Sequence, residues 1–331
     1  MNRRTHFMRV AKRHVTFRMQ KGHGLGVEVS LFKISRLIIS FIPNRFNHSH
    51  LSSNIPRLLS VSPKMAPSID AFIDKQLADR WGPTRNQANA IRDLLHGNIN
   101  PEDAAVRLTS DINAARSAET AKGALWGPWK LLEDTARKFP DHHTKLVKLV
   151  DAIRQLPDLV IRGDLAVKWS ELPNLAELWG ENVFDRDESA YSDEVISIIA
   201  FTAQLCARQL VDANDFLSPA ELDFYTAFEK TPAAGSTLKA GDVQRLNVSV
   251  PIAAQWILHA GEAIYNCEGT FSLEERDGLW TGQPGFSYGR WKLWKERAEW
   301  VSSLNGVVRQ ETIDIAKKMV DKMSEIEDND V

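Results

Sequence analysis

A line of polar side chains on a predicted helix is the part of this sequence best suited to chemistry. Gln255, His259, Glu262 and Asn266 follow one another at steps of four, three and four residues within the otherwise apolar stretch 250–267. Because an α-helix has about 3.6 residues per turn, these steps place the four side chains on one face. If the face lines a cleft, His259 and Glu262 could transfer protons or hold a ligand. If it meets solvent, it is an ordinary polar seam.

A second polar line lies on an earlier helix. Gln204 and Arg208 are one turn apart in the stretch 193–211, whose other side chains are mostly apolar. A helix that is apolar on most of its circumference is buried on most sides, so this helix and the helix at 250–267 are both predicted to be central. We expect the two polar lines to face each other, with Arg208 approaching Glu262.

The predicted loop 268–286 contains four glycines and a proline, and among them lie the large aromatic residues Trp280 and Phe286. Aromatic residues in such a loop are usually tucked beneath it and hold it against the protein. They could instead form a lid over a cleft lined by the two polar lines. Both interpretations stay open at this point.

Other motifs lack a requirement of the chemistry that they suggest. The residues at 285–289 match the G-x-S-x-G pattern of hydrolases, but no histidine follows Ser287, which is predicted to cap a helix instead. Asp141, His142 and His143 are metal-ligand types. Adjacent helical histidines point about 100° apart, so we expect a solvated first turn there. Dinucleotide, P-loop and zincin motifs are absent from the sequence. We therefore predict no metal site and no cofactor.

The elements that must position these residues are helices. From residue 66 onward the apolar residues recur with a helical period, and alternating strand patterns are nearly absent. Asn100 before Pro101 predicts one helix start, and Ser218 before Pro219 predicts another, while the stretch 230–247 reads as a loop. The predicted fold class is all-α: a single multi-helical globular domain of about eleven helices, preceded by a disordered basic segment.

Composition and charge divide the chain in two. The 331 residues carry a formal net charge of −2, with 43% hydrophobic and 25% charged residues, as is ordinary for a globular protein. Residues 1–65 contain 12 Lys/Arg and one acid, a net charge of +11, which leaves −13 for the remainder. The helical domain is predicted to span 66–327. Its acidity argues against nucleic-acid binding, because phosphate contacts dominate such affinity.

The basic segment 1–65 has three interpretations. Translation could begin at Met65, so that the segment is not native; it could be a mitochondrial transit peptide; or it could be a basic arm for nucleic acid or membrane. Its apolar run at 37–42 is far shorter than the roughly 20 residues of a membrane span, so no span is predicted. Two cysteines, Cys206 and Cys267, cannot form a disulfide framework. We expect a cytoplasmic location, or a mitochondrial one if the transit peptide is genuine.

The arrangement of Trp, Pro and Gly resembles a known family. The chain contains, in this order, the phrases NPEDAAVRL, LWGPWKLLEDTARKFPDHHTKLVKLVDAIRQLP, WSELPNL, VPIAAQWILHAGEAIY and LWTGQPGFSYGRWKLWKERA. Because of these segments, residues 68–320 resemble a family of fungal proteins called domain of unknown function 3632. The resemblance implies a fungal source and a mostly helical fold. It implies no activity and no functional residues.

Two functions remain open from the sequence. The first is a non-enzymatic interaction or scaffold protein, because no motif meets a complete catalytic requirement. The second is a small-molecule-binding protein or a cofactor-free enzyme of fungal specialised metabolism, which would use the polar line within a Trp-rich core. The partner would accordingly be a protein or a small molecule. An enclosed pocket reaching His259 and Glu262 would favour the second function, and an exposed line would favour the first.

Overall fold

Helices form most of the chain that the structure describes. The computed structural model describes residues 68–184, 193–230, 232–269 and 277–329, apart from the side chain of residue 214. The α-helices are α1 (Ile69–Ala78), α2 (Arg85–His96), α3 (Pro101–Asn113), α4 (Ala118–Gly123), α5 (Trp126–Lys138), α6 (His143–Arg154), α7 (Leu175–Trp179), α8 (Asp193–Ala207), α9 (Ala213–Phe224), α10 (Ala240–Tyr265), α11 (Tyr288–Ser302) and α12 (Gln310–Asn329). The predicted all-α class is confirmed. The basic segment 1–65 lies outside the described residues.

Short helical turns of other types join or extend these helices. Two three-residue 3₁₀ turns, Pro140–His142 and Trp169–Glu171, precede α6 and α7. Two π-helical turns, Gly180–Phe184 and Tyr225–Glu229, continue α7 and α9. Such π turns are often found at functional sites, and the second of them carries Glu229, which is central to the buried charge cluster described below.

Side-chain caps begin several helices where the sequence predicted them. Asn100 accepts a hydrogen bond from the backbone N–H of Asp103 at 2.7 Å, and Pro101 occupies the first helical position of α3. Ser287 caps α11 by accepting from the N–H of Arg290 at 3.2 Å. These bonds satisfy N–H groups that have no partner within the helix. Ser287 therefore has the capping role that was predicted for it.

Two helix starts were predicted wrongly. Helix α9 begins at Ala213, so Ser218 is inside the helix and is not its cap, and Pro219 is an interior residue. A proline inside a helix removes one backbone hydrogen bond, and burial of Phe216 on the preceding turn offsets this loss by packing. Helix α10 begins at Ala240, within the stretch that was predicted as a loop, and it also contains an interior proline.

A β-hairpin was not predicted. Strand β1 (Leu159–Ile161) pairs antiparallel with β2 (Asp164–Val167). Arg162 and Gly163 form the turn, with φ of 56° and 91°. Positive φ at both central residues suits the twist of a two-residue hairpin. Strands of three and four residues are too short to produce a clear alternating pattern, so the period of the sequence did not reveal them.

The two helices predicted to be central do pack against each other. Helix α10 lies against α8 and also against α12, and both Phe201 of α8 and Trp256 of α10 are fully buried. A Cβ atom at Gly261 would lie 2.5 Å from Cδ1 of Ile326, so the missing side chain allows α12 to approach α10 closely. Next to it, Ala260 departs from helical geometry with φ −136°, which kinks α10 immediately after His259.

Candidate functional site

The predicted polar line of α10 does not share one environment. Gln255 is buried, and its amide donates to the backbone carbonyl of Pro251 at 3.0 Å, a bond within its own helix. His259 is half-buried, whereas Glu262 and Asn266 are exposed. The line therefore begins in the core at Gln255 and reaches the surface at Glu262 and Asn266. Acid–base roles for His259 and Glu262 stay a prediction.

His259 interacts electrostatically with His143 of α6. His143 is only 5% exposed, so the solvated first turn that we expected at 141–143 is wrong for this residue. Burial lowers the pKa of His259, and positive charge on His143 would lower it further. Burial likewise lowers the pKa of His143 itself, although a hydrogen bond to the Ala136 carbonyl opposes the change. Both imidazoles are therefore held in the neutral form more strongly than in water.

The hydrogen bonds of His143 are structural. Its Nε2 lies 2.9 Å from the carbonyl oxygen of Ala136 and 3.1 Å from Oγ of Ser197 on α8. The Ser197 hydroxyl donates to the same carbonyl at 2.6 Å. Because that hydroxyl proton points to the backbone, His143 does not accept it, and Ser197 is not activated as a nucleophile in this arrangement. The pair joins α5, α6 and α8.

The polar line of α8 meets this cluster at one residue. Gln204 is half-buried, with its Nε2 3.5 Å from Nδ1 of His143. Arg208 is exposed one turn later. Glu262 of α10 is exposed as well, and the expected approach of Arg208 to Glu262 stays a prediction. One residue from each predicted line, Gln204 of α8 and His259 of α10, therefore interacts with the same residue, His143.

Trp280 and Phe286 of the loop 268–286 have different surroundings. Phe286 is buried, and its ring centroid lies 5.9 Å from that of Trp294. Trp280 donates through Nε1 to the carbonyl oxygen of Gln283 at 2.8 Å, and its ring lies where a Cβ at Gly282 would be, 2.2 Å away. These contacts are those of a residue that holds its own loop together. A lid role for Trp280 stays a prediction.

A buried charge cluster on α9, its π-helical extension and α11 was not predicted from the sequence. Arg290 is 3% exposed, and its Nε and Nη2 donate to both carboxylate oxygens of Glu229, at 2.7 and 3.0 Å. Its Nη1 donates to Glu221 at 2.9 Å and to the carbonyl oxygen of Gly285. Trp294 adds a bond to Glu229 at 2.7 Å. Although burial lowers the pKa of Arg290, these carboxylates outweigh it and raise the pKa.

Two turns further along α11, Arg297 is also buried. It donates to the backbone carbonyls of Phe228 and Pro232, at 3.1 and 2.7 Å, and its guanidinium stacks 3.9 Å over the ring of Trp300. Burial lowers its pKa to about 10. Arg290 and Arg297 thus point inward, so α11 does not present them to phosphate groups. The sequence offered one signal for the cluster, namely arginines among the tryptophans of a helix.

An open cleft lies at the end of α6. We call it the Arg154 cleft; its volume is about 470 Å³, and it is lined by Arg154, Ser170, Glu171, Leu172, Leu175, Ala176, Gln209, Leu210, Val211, Asp212, Asp215 and Phe216. Arg154 donates from Nε to the carbonyl oxygen of Ser170 at 3.3 Å and from Nη1 to that of Gln209 at 3.0 Å. The guanidinium therefore bridges the two loops that form the opening.

Backbone strain is concentrated at this cleft. Leu172, Asn174 and Gln209 have φ values of 47°, 65° and 55°, in the left-handed region. Leu172 and Gln209 line the cleft, and Asn174 immediately precedes α7. A left-handed conformation costs a residue with a side chain about 1–2 kcal/mol, and for a bulky residue such as leucine it is uncommon. The surrounding structure, including the Arg154 bridge, therefore holds both loops in place.

The cleft combines an apolar floor with charged edges. Leu172, Leu175 and Phe216 are buried beneath it, while Asp212 and Asp215 are exposed at the start of α9. Burial raises the pKa of Asp215, and the negative charge of Asp212 raises it further. The contribution of Asp212 means that its carboxylate and that of Asp215 lie close enough to repel each other.

A second cleft lies between α2 and α3. Its volume is about 570 Å³, and its lining is mostly polar, with Asn86, Asn89, Arg92, Arg107 and one exposed valine among its residues. Arg92 and Arg107 are paired with aspartates. Within the described ranges no group of three or more His, Cys, Asp or Glu side chains is placed to hold a metal ion. None of the helices described there has the length and apolar character to cross a membrane.

Comparison with protein families gives one match. Residues 129–298, just over half of the 331-residue chain, match the family described as "Protein of unknown function (DUF3632)". The chain belongs to the DUF3632 family. In this DUF3632 protein the matched stretch runs from α5 into α11, so it includes His143, the Arg154 cleft and the Arg290 cluster. No curated protein and no solved structure matches the chain.

Proposed function

We propose that this DUF3632 protein binds a small molecule in the Arg154 cleft. The observation that carries the proposal is the bridge from Arg154 to the carbonyl groups of Ser170 and Gln209, which holds two loops with left-handed residues around one opening. Such strain persists only where its surroundings enforce it, and it clusters at ligand clamps.

The size and lining of the cleft support the same function. Its volume of about 470 Å³ is within the range of roughly 300–1,000 Å³ that is typical of small-molecule sites. Buried leucines and Phe216 provide an apolar floor, and charged groups stand at the edge, where they can orient a ligand. This division into apolar contact area and a few polar groups is common in ligand sites.

A pair of neighbouring substitutions tests the proposal. Ala176 lines the cleft and Glu177 does not, although both belong to α7. Ala176→Phe would fill the cleft, whereas Glu177→Phe adds the same ring on the exposed side. We expect a thermal-shift screen of small molecules to find stabilising compounds for the wild type and for Glu177→Phe, and these shifts to vanish in Ala176→Phe. Shifts that survive in Ala176→Phe, or no shift with any compound, would contradict the proposal.

A second candidate function rests on Trp81. This side chain is 82% exposed, with the Arg80 guanidinium 5.1 Å from its ring centroid. Exposed tryptophans paired with arginine are typical of residues that dominate protein interfaces, which fits an interaction or scaffold protein. If this candidate is right, Trp81→Ala removes a specific cross-linked partner, while Val307→Ala, at another exposed apolar position, retains it. A partner retained by both variants would contradict the candidate.

A further inference from the structure

The outer face of the β-hairpin carries an exposed apolar pair. Val160 of β1 lies directly opposite Leu165 of β2, and these two residues are 57% and 56% exposed. Directly opposite residues of an antiparallel pair project from the same face of the sheet. Leu159 and Ile161, on either side of Val160, are half-buried and pack against the core, so the inner face fixes the hairpin to the protein. The outer face therefore presents two aliphatic side chains to solvent.

The backbone of β1 has groups that can pair with a further strand. The turn closes on the pair Ile161 and Asp164, and hydrogen-bonded pairs alternate with non-hydrogen-bonded pairs along an antiparallel ladder. The N–H and C=O of Val160, in the next pair, therefore point away from β2, and within the described part of the chain no other backbone group bonds to them. The extra residue of the ladder lies in β2, so β1 is the regular strand. A regular edge strand is a template for pairing with another chain.

The residues that flank Val160 favour a second copy of the same strand as the partner. Asp158, Val160 and Arg162 are exposed and alternate with half-buried residues, so the outer face reads acid, apolar, base. When two copies of β1 pair antiparallel about a two-fold axis at Val160, Asp158 of each copy lies opposite Arg162 of the other. Opposite charges in these positions stabilise the pairing, whereas a parallel pairing in register would place like charges side by side. The strand is therefore complementary to itself in the antiparallel orientation.

We propose that the hairpin is a self-association surface, at which β1 of two copies pairs antiparallel and forms a four-stranded intermolecular sheet. Backbone hydrogen bonds at Val160, two aspartate–arginine pairs and the side chains of Val160 and Leu165 from each copy form the interface. Such short strands bury less than the roughly 1,200–2,000 Å² of a stable interface, so the dimer is weak and depends on protein concentration. The inference is independent of the proposed function, because the hairpin does not line the Arg154 cleft.

Sedimentation equilibrium of the full chain tests the surface. Over about 5–500 µM protein, a range suited to a weak complex, we expect the mean mass of the wild type to rise towards that of a dimer. Val160→Lys should raise the dissociation constant at least about tenfold, because it places two ammonium groups side by side at the two-fold axis.

A matched control separates the hairpin from the rest of the surface. Val106 of α3 is 56% exposed, so Val106→Lys adds the same charge at a valine of nearly equal exposure. We expect this variant to leave the dissociation constant within about twofold of the wild type. A wild type that stays monomeric over the whole range, or equal losses in Val160→Lys and Val106→Lys, would overturn the proposal.

Exchange of the two charges tests the antiparallel register. Arg162→Asp alone should associate at least about tenfold more weakly than the wild type, because aspartate then faces aspartate, and Asp158→Arg alone should show the same loss with arginine facing arginine. A mixture of the two variants should recover association, because the aspartates of one face the arginines of the other. Far-UV circular dichroism checks that both are folded, since the Asp158 carboxylate accepts a hydrogen bond from the N–H of Trp169 at 3.2 Å. A folded mixture that does not associate would overturn the antiparallel pairing, and if Asp158→Arg does not fold, the comparison of Val160→Lys with Val106→Lys decides.

Discussion

Replacing Glu229 by glutamine tests whether the buried charge cluster holds α9 and its π-helical extension against α11. The substitution preserves the shape of the side chain and removes the negative charge that faces Arg290. Glutamine accepts hydrogen bonds through one oxygen only, and its amide N–H groups would face the N–H donors of Arg290 or Trp294. Both the charge and the pattern of donors and acceptors are therefore disturbed.

The expected loss follows from the geometry. Glu229 accepts three hydrogen bonds, at 2.7 and 3.0 Å from Arg290 and at 2.7 Å from Trp294, and the side chains of Arg290 and Glu229 are only 4% and 3% exposed. Removing one partner of a buried ion pair costs about 3–5 kcal/mol. Glu221 remains 2.9 Å from Arg290 and retains part of the compensation. We therefore expect the lower end, a decrease of about 3 kcal/mol in the free energy of unfolding.

Urea unfolding, followed by tryptophan fluorescence and far-UV circular dichroism, measures this decrease. The control is Glu325→Gln, which removes an exposed pair with Lys322 at 2.7 Å and should cost less than about 1 kcal/mol. Arg290→Met should cost more than Glu229→Gln, because it leaves two buried carboxylates without their shared cation. A loss in Glu229→Gln no larger than that of the control would refute the reasoning.

Three further changes have expected outcomes in the same unfolding assay. The folded pKa values of His143 and His259 lie below the ordinary 6.5, so the free energy of unfolding should fall as the pH falls below that value, where the unfolded chain binds protons that the folded chain does not. His143→Gln should reduce this fall in stability between about pH 7.5 and 5.5, and a pH dependence equal to that of the wild type would contradict the argument. Gly261→Ala should cost about 1–3 kcal/mol through contact with Ile326, and an added Ile326→Val, which removes Cδ1, should restore part of it. Gln209→Gly should raise stability by about 0.5–1 kcal/mol by relieving its positive φ, whereas a loss would argue against strain there.

Local features of the fold were predictable because their causes are local. The caps at Asn100 and Ser287 each depend on a hydrogen bond to a residue three positions along the chain. The central position of α8 and α10 followed from their apolar circumference, which is a property of each helix alone. The predicted helix starts were wrong where packing outweighed local preference. At Ser218, for example, the helix was predicted to begin, but α9 begins earlier and continues through Pro219.

The site could be predicted only in part. The sequence placed Gln204 and His259 on facing helices, but it could not show that His143 of α6 contacts Ser197 of α8, because the two residues are 54 positions apart. The Arg154 cleft was not predicted at all. Its lining comes from three separate parts of the chain, and the positive φ values at Leu172 and Gln209 have no signature in residue type.

By itself, the sequence determined the helical class, several helix caps, the division of charge between residues 1–65 and the remainder, and the family. Each of these depends on residue type or on spacings within a few turns of helix. Only the tertiary structure decided which polar side chains are buried. Arg290 and Glu229 are 61 residues apart, and neither is distinguishable in the sequence from an exposed charge. Burial and ion pairing depend on neighbours that only folding brings together, and these neighbours decide whether a charge supports the core, faces a cleft or meets water.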